Sequence, residues 1–363
     1  MQLAPTAEQQ ALMSAVERFC QEQVTPERLL AWEREPRRID AACWRAVGEL
    51  GWFGLGVPES AGGSGLGLVE VACVLHECAR GLIPRRVINA IRGGWALARL
   101  DPTAPELVEI ARGARVVALA LDERDASDPS AYMSIVEGAA SAAPRLRGEK
   151  WYVANGMSAD DQIVAAREGQ GLSLLLVAGE DTDRRALRTF DGEEQAVVRY
   201  ASTPVRRRLG PGGAAASALR ALRREATALA LAEMLGGMQA ALDMTVAYVK
   251  EREQFGQKLA VFQAVQHQVA DMAIAHTAAR HLGWQAITRL AAGTEEGMEL
   301  IHAAAYVPQA FKRLTFAAHH LHGGAGYVVE HPLHLHSERA QALCIRYAPE
   351  AAALATIASD LLD

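Results

Sequence analysis

Arg252-Glu253-Gln254-Phe255-Gly256-Gln257-Lys258, then Phe262-Gln263-Ala264-Val265-Gln266, and about sixty residues later His320-Leu321-His322-Gly323-Gly324-Ala325-Gly326-Tyr327, are the segments that decide how this chain reads. An Arg at a helix end presents a planar, two-pronged donor suited to a pyrophosphate. Adjacent glycines let a backbone approach a ligand closely. Upstream, Leu219, Leu222, Ala226 and Leu229, then Leu235, Met238, Leu242 and Val249, recur at helical spacing. They predict one long helix with a narrow apolar stripe, the kind that packs in a bundle. Downstream the same period predicts helices over about 261–292 and 296–321, with shorter ones after Pro332 and Pro349.

Further from these segments the texture changes. Short β-rich runs, Val116–Leu121, Tyr132–Val136, Trp151–Val153, Leu172–Val177 and Ala196–Tyr200, are separated by turn residues. Before them, apolar residues at three- and four-residue spacing (Leu12, Val16, Phe19; Val69, Cys73) are broken by Pro58, Gly62-Gly63, Pro84 and Pro102 into several helices. The expected fold class is α+β, with an N-terminal α-helical domain over 1–113, a middle β-domain over 114–210 and a C-terminal helical bundle over 211–363. Gly63-x-Gly65-x-x-Leu68 follows Pro58 and not a strand, so it reads as a turn between helices and not as a dinucleotide loop.

The formal charge of -6 over 363 residues offers no basic footprint for nucleic acid. The five cysteines form no C-x-x-C pair and read as reduced core thiols. The first ten residues lack the pattern of a signal peptide, and no apolar stretch reaches the roughly 18 residues needed to span a bilayer. A cytoplasmic protein without membrane or nucleic-acid partners is expected. Six of the eleven histidines crowd between His319 and His336, with Glu330 and Glu338 as the carboxylates there. Without Cys or Asp among them they read as interface or surface residues, and no metal is expected.

The two segments quoted first resemble the acyl-CoA dehydrogenase family, whose tetramers use R-x-Q-F-G and Q-x-x-G-G motifs to hold the FAD of a neighbouring subunit. Gly51-Trp52-Phe53-Gly54-Leu55-Gly56-Val57-Pro58-Glu59 with Gly62–Gly65 resembles the family's helical N-terminal domain. Gly148–Gly156 with Ala159-Asp160 resembles its β-domain. The resemblance implies that Arg252 and Phe255 contact the FAD diphosphate and ring edge, with Gln254, Phe262 and Gln263 nearby. It implies that His320, which replaces the usual Gln, lies with Gly323 and Gly324 along the adenosine end. It also implies an acyl-CoA substrate, α,β-dehydrogenation and an electron-transfer acceptor.

The family's reaction needs a base for the α-proton while the β-hydride goes to flavin. Tyr347 occupies one usual position of that base, and Ala226, followed by Thr227, the other. Tyrosine's phenol ordinarily ionises only near pH 10 and is a poor base at neutral pH. Glu225 adjoins Ala226 but is rotated by about 100° from the stripe. The family's T-E-P-G-A-G-S-D loop reads Asp122-Glu123-Arg124-Asp125-Ala126-Ser127-Asp128, with an acid where a hydroxyl faces flavin, and W-I-T reads Tyr152-Val153-Ala154. Residues that lend contacts to a neighbour's FAD persist while those of the chain's own site are eroded. This resembles the base-lacking partner subunit of heteromeric, steroid-degradation-type enzymes and implies a heterotetramer with a base-bearing homologue, or else a homo-oligomer. The alternatives are an autonomous dehydrogenase using Glu225, or Glu350, as base, and a non-redox scaffold that binds a partner or acyl-CoA.

Overall fold

A computed structural model of the chain describes residues 5–34, 39–124, 129–138, 143–294 and 298–347, with 354, 355 and 358. Ten helices are described: α1 Ala7–Gln23, α2 Pro26–Arg34, α3 Ala41–Glu49, α4 Leu68–Arg80, α5 Arg85–Leu100, α6 Leu107–Ala111, α7 Ala216–Glu251, α8 Gln263–Ala291, α9 Met298–His322 and α10 Leu333–Tyr347. The ten described strands are β1 Val117–Ala120, β2 Ile135–Glu137, β3 Arg145–Ala154, β4 Asp161–Glu168, β5 Gly171–Ala178, β6 Asp183–Leu187, β7 Gln195–Pro204, β8 Arg207–Arg208, β9 Glu253–Gln254 and β10 Gln257–Lys258. None of the described helices is long and apolar enough to cross a membrane.

By internal contacts the chain forms two compact units, one of residues 32–66 and 84–223, the other of residues up to 31, 67–83 and from 224 onward. The first is built on one eight-stranded sheet in the order β6-β7-β3-β2-β4-β5-β8, with β1 parallel to β4. Ile163 and Ala165 of β4 and Leu174 and Leu176 of β5 pack with Leu97 of α5, Leu107 and Ile110 of α6, and Leu219 and Leu222 of α7. Three of its strands escape the sequence reading, β4, β6 and the two-residue β8. β4 (DQIVAARE) carries apolar and polar residues that are nearly all buried, so it lacks the alternation that marks a half-exposed strand. β6 (DRRAL) is a charged edge strand, paired on one side only, and edges of this composition resist unwanted pairing.

In the second unit α7 is the central element. The narrow stripe expected of it is not what the structure shows: Ala228–Met238 are buried on every side, Glu233 included. Two glycines make this possible. A Cβ at Gly236 would lie 1.9 Å from the His76 carbonyl of α4, and one at Gly237 2.4 Å from the Phe311 ring of α9. Gly283 of α8 lies as closely against Leu235, 2.8 Å from a Cβ to its methyl. Each glycine costs a helix about 1 kcal/mol relative to alanine, and the close packing it permits offsets that cost. The five cysteines are buried free thiols. Of the helix expected after Pro349, Leu354, Ala355 and Ala358 are described, each helical, while Glu350 and Glu296 lie outside the described residues.

Gly236→Ala gains helix propensity but drives a methyl into a backbone carbonyl that cannot swing aside. Urea unfolding is expected to show a net loss of roughly 1–3 kcal/mol, the size of an overpacking penalty. An unchanged or raised midpoint would mean α4 does not press on α7 here.

Candidate functional site

The helix α7 ends at Glu251, and the chain turns at once. The Arg252 N–H still donates to the Tyr248 carbonyl (2.8 Å), and Leu259 N–H donates back to the Arg252 carbonyl (2.9 Å), which closes the loop. Between them β9 and β10 pair Gln254 with Gln257 and Glu253 with Lys258. The two linking residues, Phe255 and Gly256, have φ of 54° and 78°, the pattern of a type I′ hairpin turn. Glycine meets that demand freely. Phenylalanine does not, and left-handed backbone costs a side-chain-bearing residue about 1–2 kcal/mol.

Phe255 is also 90% exposed. Among the described residues its ring meets that of Phe262, the N-cap residue of α8, edge-on at 6.1 Å. Burying such a ring stabilises a fold by about 1.5–3 kcal/mol, and the chain forgoes that here. Arg252 and Gln254 are exposed beside it, and Gln263 opens α8. A strained, solvent-facing aromatic next to an exposed guanidinium makes this hairpin the candidate for contact with a ligand or partner.

The second segment ends α9. Gly323, at φ 57°, begins a short turn, Gly323–Tyr327, and neither Gly323 nor Gly324 has any atom within 4 Å of where a Cβ would stand. Their backbone is therefore open to a close approach. His320 is exposed and hydrogen-bonded to Gln268 (3.1 Å). Tyr248, one turn before Arg252, stacks on His322, the residue before Gly323, at 4.4 Å. This contact links the two motif segments. It was invisible in the sequence, where only the helical spacing of Tyr248 from Arg252 hinted at it.

Of the histidines expected at an interface or surface, three are not on the surface of the chain. His319, His322 and His336 are buried, and burial lowers the pKa of each, together with that of His331. No group of three His, Cys, Asp or Glu among the described residues is arranged to hold a metal.

Of the base candidates, Glu225 and Ala226 are half-buried on α7, and Tyr347, also half-buried, ends α10. Glu225 precedes Glu251, the end of the same helix, by 26 residues. At 1.5 Å per residue that is about 39 Å, too far for Glu225 and the hairpin to serve one reacting centre.

In the β-bearing unit the acids of the loop after β1 are paired internally. Glu123 accepts from the backbone N–H groups of Met133 (2.7 Å) and Ser134 (3.0 Å) and from Lys150 Nζ (2.9 Å). Lys150 is fully buried and stands 3.7 Å over the Tyr132 ring; burial pushes its pKa down to about 8 against the pull of Glu123. Asp122 accepts from Arg223 (2.8 Å), which also donates to the Tyr132 hydroxyl (2.6 Å). The acids that replace the expected hydroxyl here are thus compensated by Arg223 and Lys150. Asp125–Asp128 lie outside the described residues. Tyr152 sits at a bulge in β3 with φ 57° and is 43% exposed, while Ala154 offers no hydroxyl.

The comparisons with known proteins agree with this architecture. Residues 6–100 match the model of the acyl-CoA dehydrogenase N-terminal domain and residues 214–361 that of the acyl-CoA dehydrogenase C-terminal domain. The chain belongs to the acyl-CoA dehydrogenase family, oxidoreductases acting on CH–CH bonds, and its helical, β-sheet and helical regions are that family's fold. It is 28% identical to the acyl-CoA dehydrogenase IpdE2 of Mycobacterium tuberculosis over 93% of this chain and 92% of that one. Among solved structures it is similar to the ChsE4-ChsE5 complex from Mycobacterium tuberculosis (TM-score 0.89, 27% identity, covering 100% of this chain and 99% of that chain). It is similar also to a variant of the Tcur3481-Tcur3483 steroid ACAD (TM-score 0.87, 29% identity, 98% and 99%).

Burial, with the nearby positive charge of Arg339 adding to it, pushes His336 down to about 3, and burial pushes His276 to about 4. In the unfolded chain each imidazole takes up its proton near pH 6.5. Stability is therefore complete above that pH and declines as pH falls from 6.5 toward these folded-state values, by up to about 1.4 kcal/mol per pH unit for each group. Urea midpoints at pH 7.5 and 5.0 should show the decline, and His336→Phe should lessen it, leaving the share of His276. An equal decline in the variant would show that His336 is not its source.

Proposed function

We propose that this chain is a subunit of a FAD-dependent acyl-CoA dehydrogenase that lacks its own catalytic base and completes the FAD site of a homologous, base-bearing partner subunit. The observation that carries this reading is Phe255, held in left-handed backbone and 90% exposed at the tip of the hairpin. Arg252 would supply a two-pronged donor to the FAD diphosphate. Phe255, with Phe262 behind it and Gln254 and Gln263 beside it, would press against the ring edge. The open backbone of Gly323 and Gly324, with His320, would line the adenosine end. These residues fit such a group because the chain's own atoms do not fill the space over the two glycines. When bound, FAD accepts the β-hydride of an acyl-CoA thioester and passes its electrons to an electron-transfer acceptor.

The α-proton must go to a carboxylate, and the positions where the family carries one hold Ala226 and Tyr347. The partner would provide it. Support for a heteromer acting on a steroid-derived acyl group comes from the solved relatives, one described as a two-component complex and the other as a steroid enzyme.

Purified alone, the chain is expected to be colourless and inactive. Purified with a homologue encoded beside it, it should be yellow and should oxidise an acyl-CoA. Arg252→Ala should then weaken FAD retention by the complex roughly tenfold, as the loss of one charge-assisted contact implies. A yellow, active preparation of this chain alone would overturn the proposal.

One observation favours a second reading, an autonomous enzyme with Glu225 as base. A bare carboxylate beside an electron-rich reduced flavin would be repelled, and Arg223 compensates Asp122. In that case Glu225→Gln abolishes flavin bleaching by an acyl-CoA, and unchanged bleaching rules Glu225 out.

A further inference from the structure

We infer that Tyr248 and His322 are positioning residues whose stacked rings hold the hairpin Arg252–Lys258 and the turn Gly323–Tyr327 as one surface for a single ligand. The inference rests on the proposed FAD-lending role and adds the device that makes two distant segments act together. Each ring is one short step from a segment it would position. Tyr248 lies one helical turn before Arg252, whose N–H it accepts through its carbonyl at 2.8 Å, and His322 directly precedes Gly323.

The contact between them has two parts. The rings are 4.4 Å apart at 21°, and the Tyr248 hydroxyl donates to the His322 carbonyl over a long 3.3 Å. That carbonyl belongs to the peptide that enters the glycine turn, so the hydroxyl restrains the turn's backbone as well as the side chain.

His322 is itself fixed. Its Nδ1–H donates to the Ala318 carbonyl at 2.8 Å, which sets the tautomer and leaves the lone pair on Nε2. That Nε2 is buried without a hydrogen-bond partner. Leaving a buried acceptor unmade is unfavourable, so hydrogen bonding at Nε2 is not what keeps the ring in place. Ring packing is: Tyr248 covers one face, and His331 meets the imidazole edge-on at 4.8 Å. On the other side of the turn, Tyr327 stacks on His319 at 4.6 Å, and His319 Nε2 pairs with Ser337 at 3.0 Å. The glycine turn therefore hangs between two aromatic stacks. The first of them reaches α7, the helix that ends just before Arg252.

If stacking is the active element, an aromatic ring is required at each position and an imidazole or phenol is not. The test uses the full chain, alone and in complex with its homologous partner, with Tyr248→Ala and His322→Ala set against Tyr248→Phe and His322→Phe. In the chain alone, hydrogen exchange should quicken in 252–262 and in 323–327 together for the alanine variants, and stay near the parent rate for the phenylalanine variants. In the complex, the alanine variants should release FAD with a dissociation constant raised roughly tenfold, about the worth of one aromatic stack, and the phenylalanine variants should recover most of it. Faster exchange confined to one segment, or phenylalanine variants as impaired as alanine ones, would overturn the inference. An Arg252→Ala complex with unaltered FAD affinity would instead count against the FAD-lending role, and the exchange result would still decide the coupling.

Discussion

The close approach of α7 to its neighbours at Gly236 and Gly237 is the constraint on which the second unit depends. Those two positions bring α7 within van der Waals contact of the α4 backbone and the Phe311 ring of α9, so the middle of the helix is enclosed and cannot slide. A rigid 36-residue helix is the result. Whatever its two ends carry is then held at a fixed separation, with the hairpin at one end and Glu225 near the other. That separation divides the chemistry: a group that touches Arg252 is out of reach of Glu225.

The contrast between the two regions of charge and aromatic surface follows from how each is satisfied. Around Lys150 every formal charge has a partner, and the Tyr132 ring and hydroxyl bind the two ion pairs into one network. Buried charge of this kind is tolerated only when it is fully compensated. At the hairpin the reverse holds. Backbone strain and an exposed aromatic ring coincide at Phe255, and the described residues offer it only an edge contact with Phe262. A folded chain sits only some 5–15 kcal/mol below its unfolded state, so a deficit of a few kcal/mol at one residue is a substantial fraction of the whole.

Much of the fold was legible because it rests on periodicity. The long helices announced themselves through apolar spacing, and five of the strands through β-branched runs. β4 and β6 did not: one is buried on both faces, and the other is charged because it lies at an edge, so neither shows alternation. The narrow stripe read on α7 failed for a related reason. Alanines and glycines contribute little to an apolar pattern, yet they are what allow neighbours to surround the helix. In the candidate site, the Arg-Phe-Gly and Gly-Gly segments stood out by residue type. The Tyr248–His322 stack did not, since it joins residues 74 apart in sequence and leaves no local mark. The buried histidines were misjudged because polarity suggests a surface, whereas a neutral imidazole packs well as a flat ring.

The lack of a carboxylate at Ala226 and Tyr347 and the strained, exposed ring of Phe255 are physically independent, and under the proposed role this is why their coincidence matters. A carboxylate at position 226, half-buried on α7, would need solvation or a partner there, and alanine carries no such cost. Keeping Phe255 in left-handed backbone has no such benefit: a glycine or asparagine there would relax the turn, and a polar side chain would suit the solvent. A chain free of any external demand would be expected to lose that ring first. Under the proposed role the demand comes from a cofactor seated mainly on another subunit, whose binding energy would offset a strain the isolated chain bears alone.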